Sequence, residues 1–315
     1  MRTIPLHATD LHVSEVCLGA GAFGTGLIGT ALDAVVDAFL GAGGTFFDTA
    51  HCYAFWLPEG LGASERALGD ALRRLGAADH VVVATKGGHP DGGPDYRRPD
   101  AYLAEEVVAS DVDESRERLG VETIALYFLH RDDPRVPVGE IVEMLNRQAA
   151  RGAVRWLGAS NWSTARLAEA NAYAAAHGLR GFAASQVQWS LARPTWEPGP
   201  DPTTRYVTGA DAAWYAQAGM PVVAYSATAS GFFCDAPSAD AHHGTPENRA
   251  RRERARSLAA RLGCSPTAVA LAWLRCQAPT VIPLFSTSRP EHVAEAAAAT
   301  GLALSAEEAR WLRDG

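Results

Sequence analysis

VCLGAGAFGTG, residues 16–26, carries a literal G-x-G-x-x-G at Gly19, Gly21 and Gly24. Further on, TFFDTAHCY (residues 45–53) places Asp48 directly behind an apolar run. A strand, a glycine turn, a helix, a second strand and an acid make up a dinucleotide-binding fingerprint, in which the acid grips a ribose. That motif needs its helix to begin at the glycine turn, so that the helix N-terminus meets a pyrophosphate. Here Gly24, Gly26 and Gly29 follow in close succession, each costing a helix about 1 kcal/mol relative to alanine. The helix can begin only near Thr30, and a loop lies where the phosphate cradle should be. The fingerprint therefore matches in letters and fails in context.

The rest of the chain supplies the alternative. Short apolar runs at 15–19, 45–48, 81–85, 124–129, 154–159, 182–187, 221–226 and 280–284 read as strands, each followed after a loop by an amphipathic stretch. Eight such units argue for a closed (β/α)8 TIM barrel, with residues 1–315 as one domain. In SERALGDALRRLG, Ser64 reads as the N-cap, and Leu68, Ala71, Leu72 and Leu75 share a face. A helix is expected from about Tyr102 to Leu119, with Asp100 near its cap. LSAEEARWLRDG reads as a terminal helix packed outside the barrel. Long loops follow strands 2, 3, 6 and 7, which places them on the C-terminal rim where barrel enzymes hold their sites.

Composition bounds the function. Of 315 residues, 47% are hydrophobic and 20% charged, which suits a globular chain with a substantial core. A net charge of −8 disfavours nucleic acid and anionic membrane as bulk partners, and no apolar run reaches membrane-spanning length. The opening MRTIPLHATDLHV lacks a signal-peptide core, so a cytoplasmic protein is expected. Cys17, Cys52, Cys234, Cys264 and Cys276 show no metal-binding spacing and read as free thiols. The histidine pair in DAHHG (residues 240–244) reads as solvated, so no metal is expected. ENRARRERAR (residues 247–256) reads as a solvated basic face.

Polar residues gather at the predicted strand ends. Asp48 ends strand 2 with Tyr53 just beyond it, Lys86 ends strand 3, and His130 ends strand 4. Ser160 and Asn161 end strand 5, and Gln186 ends strand 6. In a barrel these ends converge on one pocket. Transfer of a hydride to a carbonyl builds negative charge on oxygen and needs a nearby proton donor. A tyrosine can be that donor when a cation stabilises its phenolate. Lys86 would be the cation, Asp48 would fix Lys86, and His130 would orient the carbonyl. His51 and Cys52 need no role beyond filling the motif.

These residues resemble the aldo-keto reductase superfamily over nearly the whole chain, through LGAG, FFDTAHCY, ATKGG, YFLHRDD, LGASNW, SQVQWS, AYSATASGF and IPLFSTSRPEHVAEA. The resemblance implies a (β/α)8 barrel that binds a nicotinamide cofactor across its rim, with Asp48, Tyr53, Lys86 and His130 as the catalytic tetrad. It implies that Ser160, Asn161 and Gln186 hold the carboxamide, that Tyr225 stacks on the ring, and that the backbone from Ser226 to Ser230 follows the pyrophosphate. STSRPEHVAEA (residues 286–296) resembles the segment holding the 2′-phosphate of NADP, with Ser288, Arg289, His292 and Glu295 at its binding positions. His292 stands where glutamine is common, Ala296 where asparagine is common, and Ser286 where glycine is usual. NADP is thus expected, with NAD as the alternative. The glycines of residues 16–26 would let the first loop pass beneath the nicotinamide.

The loop AFWLPEGLGA (residues 54–63) is longer and more aromatic than a bare turn requires. Aromatic faces pack on the C–H face of a pyranose, so a sugar or polyol-type carbonyl is the expected substrate, met by Phe55, Trp56 and Trp189. Trp162, Trp196, Phe232 and Phe233 are further candidates for pocket walls. The alternative function is a cofactor-binding redox sensor or regulatory subunit with little turnover. The residues give no oligomeric state.

Overall fold

The computed structural model describes residues 1–195, 203–237 and 239–315. Trp196 lies outside them. The strands in chain order are β1 (Thr3–Pro5), β2 (His12–Ser14), β3 (Cys17–Gly19), β4 (Phe46–Asp48), β5 (Val82–Gly87), β6 (Ile124–Leu129), β7 (Val154–Ser160), β8 (Phe182–Gln188), β9 (Val222–Tyr225) and β10 (Val281–Phe285). Strands β3 to β10 pair in parallel, each with the next, and β10 closes on β3 to complete an eight-stranded barrel. All eight expected runs are barrel strands, and the fold is the (β/α)8 barrel.

Alternation along each strand sorts its side chains between two cores. Phe46, Ala84, Leu126, Phe128, Ala184, Val223, Ile282 and Leu284 fill the barrel interior. Phe47, Tyr127, Leu129, Leu157, Val187, Val222 and Phe285 face the surrounding helices. Interior packing also explains Gly158, because a Cβ there would sit 2.3 Å from the Phe128 ring.

The hairpin β1–β2 was not anticipated from the sequence. Its strands pair antiparallel, and Leu6, Leu11 and Val13 join the interior cluster, sealing one end of the barrel. The segment from residue 306 does form the terminal helix Ala306–Asp314, started by a reciprocal Ser305–Glu308 capping box. It docks through buried Leu312 and a Trp273 indole bond to the Ala309 carbonyl (3.0 Å).

Two helix starts differ from expectation. Helix Ala63–Arg74 begins one residue before Ser64, after Gly62 with φ +73°, and Ser64 is not its cap. The Ser64 hydroxyl points inward instead, donating to the Ala20 carbonyl (2.6 Å) and lying 2.7 Å from the Thr49 hydroxyl. The helix expected from Tyr102 begins at Glu105 with Ala104 as N-cap, and Asp100 pairs with Arg135 instead. The arginines of residues 247–256 lie on helix Pro246–Leu262, where Arg249, Arg251, Arg252 and Arg256 all form ion pairs with nearby carboxylates.

The opening glycine loop is shaped by the protein's own backbone. The first barrel helix starts at Gly29, as the glycine spacing requires. Gly24 has φ +76°, and a Cβ on it would meet the Ala63 carbonyl oxygen at 2.5 Å. It is a close-packing glycine against the next helix.

Candidate active site

The inward-facing rows of the barrel run upward from the apolar plug into the site. Asp48 follows Phe46 two residues on, Lys86 follows Ala84, His130 follows Phe128 and Gln186 follows Ala184. Period-two geometry thus carries four chemically active side chains to one rim, from the three neighbouring strands β4, β5 and β6 and from β8 beyond β7. The ladder continues past the strand ends and fixes the backbone there. His51 N donates to Lys86 O (2.8 Å), His130 N to Gly87 O (2.8 Å) and Asn161 N to Gln186 O (2.9 Å).

At the centre, Lys86 and Asp48 are each 1% exposed and form an ion pair of 2.6 Å. The Lys86 ammonium has three protons, and the structure gives it three acceptors. They are Asp48 Oδ2 (2.6 Å), the Thr49 carbonyl (2.7 Å) and the Tyr53 phenol oxygen (2.9 Å). The remaining Asp48 oxygen accepts from Gln186 Nε2 at 2.8 Å. Burial opposes charge on Lys86, yet the field of Asp48 wins and holds the amine above its ordinary pKa. Burial raises the Asp48 carboxyl as well, against the pull of Lys86 and Gln186, and with the ammonium 2.6 Å away the pair is Lys⁺ and carboxylate. Burial also raises Tyr53, while Lys86 pulls it down, and the net rise keeps the phenol protonated at neutral pH.

His130 packs edge-on to Tyr53, with ring centroids 5.9 Å apart. Burial, followed by the charge of Arg131, holds its imidazole well below the ordinary range, so it is neutral. Its Nδ1 lies 3.4 Å from the Cys52 sulfur. His89 meets His130 at 4.9 Å, and Phe55 meets both His89 (6.1 Å) and Tyr96 (5.1 Å). Trp56 continues this line of rings at 5.3 Å from Phe55 and is 57% exposed.

On the neighbouring arc, Asn161 has φ +62°, a conformation asparagine tolerates. Its Oδ1 accepts from the Tyr225 hydroxyl (2.8 Å) and Arg205 N (3.1 Å), while Nδ2 donates to Ser160 Oγ (3.0 Å). The loop after β9 turns through positive φ at Ser226, Ala229, Ser230 and Gly231. It forms one wall of a cavity of about 620 Å³, whose other wall includes Ser286, Ser288, Arg289, His292 and Glu295. Helix Pro290–Gly301 opens at this cavity with no side-chain cap. The side chains of Ser286, Ser288 and Arg289 have no hydrogen-bond or ionic partner among the described residues, whereas His292 Nδ1 lies 3.0 Å from the Thr287 hydroxyl. Free hydroxyls, a guanidinium and an uncapped helix start suit an anionic group such as a phosphate.

Other predicted site residues lie elsewhere. Trp189 is 5% exposed, 6.4 Å from the Trp273 ring, and lines a separate cavity with Tyr206, Arg251 and Gln277. Trp162, Phe232 and Phe233 are buried in the outer core, so they are packing residues.

The sequence reading also left out a buried network behind the site. His51 Nε2 lies 3.0 Å from Glu114 and 3.6 Å from Asp111. Asp111 accepts from Gly88 N (2.8 Å) and pairs with Arg98, which ties the loop after β5 to helix Glu105–Leu119. DTAHCY held the clue, since its histidine and cysteine sit between two site residues.

Comparison with known proteins agrees with this geometry. The aldo/keto reductase family model matches residues 15–314. "Uncharacterized oxidoreductase YrpG" of Bacillus subtilis is 29% identical, covering 98% of this chain and 94% of its own length. "Norsolorinic acid reductase" of Aspergillus flavus is 28% identical, covering 98% of this chain and 79% of its own.

Proposed function

Since the chain belongs to the aldo/keto reductase family, we propose that it reduces a carbonyl compound with hydride from NADPH, using Tyr53 as the proton donor. One observation carries the reading. All three Lys86 protons are committed, one of them to the Tyr53 oxygen, so the phenol accepts from Lys86 and keeps its own proton for another partner.

The nicotinamide would supply the hydride. As charge builds on the carbonyl oxygen, Tyr53 releases its proton to it, and the adjacent ammonium stabilises the phenolate left behind. Neutral His130, edge-on to Tyr53, orients the same oxygen by donating an N–H. Asp48 keeps Lys86 in place, and Gln186 keeps Asp48 in place. Asn161, Ser160 and Tyr225 form a bonded arc suited to a carboxamide and an aromatic ring. Ser288 and Arg289, with Ser230 opposite and His292 and Glu295 on the same cavity wall, form the end of the site proposed for the 2′-phosphate, and the hydroxyls and guanidinium favour NADP over NAD.

For the substrate we favour a sugar or polyol-type carbonyl. The line of rings from exposed Trp56 through Phe55 and His89 to His130 supports an aromatic wall beside the reacting centre. The test is loss of NADPH absorbance with a panel of aldoses, keto-sugars and aromatic aldehydes. Fastest turnover with a sugar supports the full reading. Fastest turnover with aromatic aldehydes keeps the reductase and removes the sugar. Tight NADPH binding without turnover would point to a redox sensor.

A further inference from the structure

Cys52 is 2% exposed and carries its sulfur 3.4 Å from His130 Nδ1. Three properties of the pair decide who donates. A neutral imidazole has one protonated nitrogen and one bare one. Burial pushes the Cys52 thiol up to about 12, so it keeps its proton, and sulfur accepts hydrogen bonds only weakly. His130 Nε2 has no hydrogen-bond partner among the described residues, and Nδ1 has only the thiol. We infer that the Cys52 thiol donates to His130 Nδ1 and thereby sets the imidazole as the Nε2–H tautomer.

Cys52 is a positioning residue in this account, adjacent in sequence to Tyr53 and acting through His130. Its contact leaves Nε2–H as the single donor on the ring, with no partner among the described residues. The consequence for rate rests on the proposed carbonyl reduction, whereas the tautomer itself does not.

Side-chain ¹⁵N NMR of histidine-labelled protein reads the tautomer directly, with His130→Gln assigning the resonance. Wild type should show a bare Nδ1 and a protonated Nε2, and Cys52→Ser, which retains a donor, should match it. Cys52→Val, which fills the space without donating, should move both nitrogens toward a tautomer mixture. Cys52→Ala serves in its place if the valine variant does not fold. A protonated Nδ1 in wild type, or an unchanged pattern in the donor-free variant, overturns the proposal. In the same variants kcat for the best panel substrate should fall about fivefold without donor and recover with serine, with KM steady, as for one ordinary hydrogen bond. If the tautomer shifts while kcat stays level, the thiol assignment stands and the role of His130 in carbonyl reduction fails.

Discussion

The Lys86 ammonium meets the Tyr53 oxygen at 2.9 Å and sits 4.6 Å from the centre of the Tyr53 ring. The charge is therefore close enough to stabilise a phenolate. Its other two protons are held by Asp48 and Thr49, which stops the ammonium from drifting out of reach. The geometry binds stability and chemistry to the same buried cation.

Removing that cation should cost both. Lys86→Met leaves Asp48 buried beside Gln186 with no counter-charge, a loss of about 3–5 kcal/mol by comparison with other broken buried pairs. Urea unfolding should show the drop. The double variant Lys86→Met with Asp48→Asn should regain much of it, because the uncompensated carboxylate is gone. Additive losses in the double variant would contradict the pairing.

Arg289 should discriminate between the cofactors. Arg289→Ala removes the free guanidinium from the cavity wall, and a charge-assisted bond is worth about 1.5–3 kcal/mol. NADPH affinity should fall by roughly tenfold or more while NADH affinity holds. Isothermal titration with both would show it, and equal losses would remove the case for 2′-phosphate recognition.

The pH response follows from the depressed imidazole. His130 stays neutral in the folded state while an unfolded histidine protonates below about 6.5. The unfolded chain then binds more protons, so stability falls as pH drops through that value and is regained above it. His243, also lowered mainly by burial, adds to the same slope. His130→Gln should flatten the fall in Tm between pH 7 and about 5 without abolishing it. An unchanged slope would mean that His130 titrates normally in the fold.

Much of this architecture was legible before any coordinates. Short apolar runs such as HVVVATK and TIALYFLH revealed the barrel strands, and the polar residues ending the second to sixth runs revealed the rim. The glycine spacing of residues 16–26 correctly excluded a helix at the turn. What escaped had short local signals or distant partners. TIP and HVS are too brief for a visible alternation, though Leu6, Leu11 and Val13 plug the barrel. Ser64 looked like a cap because serine before a helix usually is one; its real partners, Ala20 and Thr49, are neighbours only after folding. The same holds for His51 with Glu114 and for Cys52 with His130, separated by 63 and 78 positions.

The central claim is that Tyr53 gives the proton while Lys86 holds its oxygen. Tyr53→Phe removes one hydroxyl and leaves the ring, so the most direct measurement is the single-turnover rate of NADPH oxidation by this variant with the best panel substrate. The account predicts a loss of about a hundredfold or more, with NADPH affinity unchanged. A wild-type rate in Tyr53→Phe would contradict it.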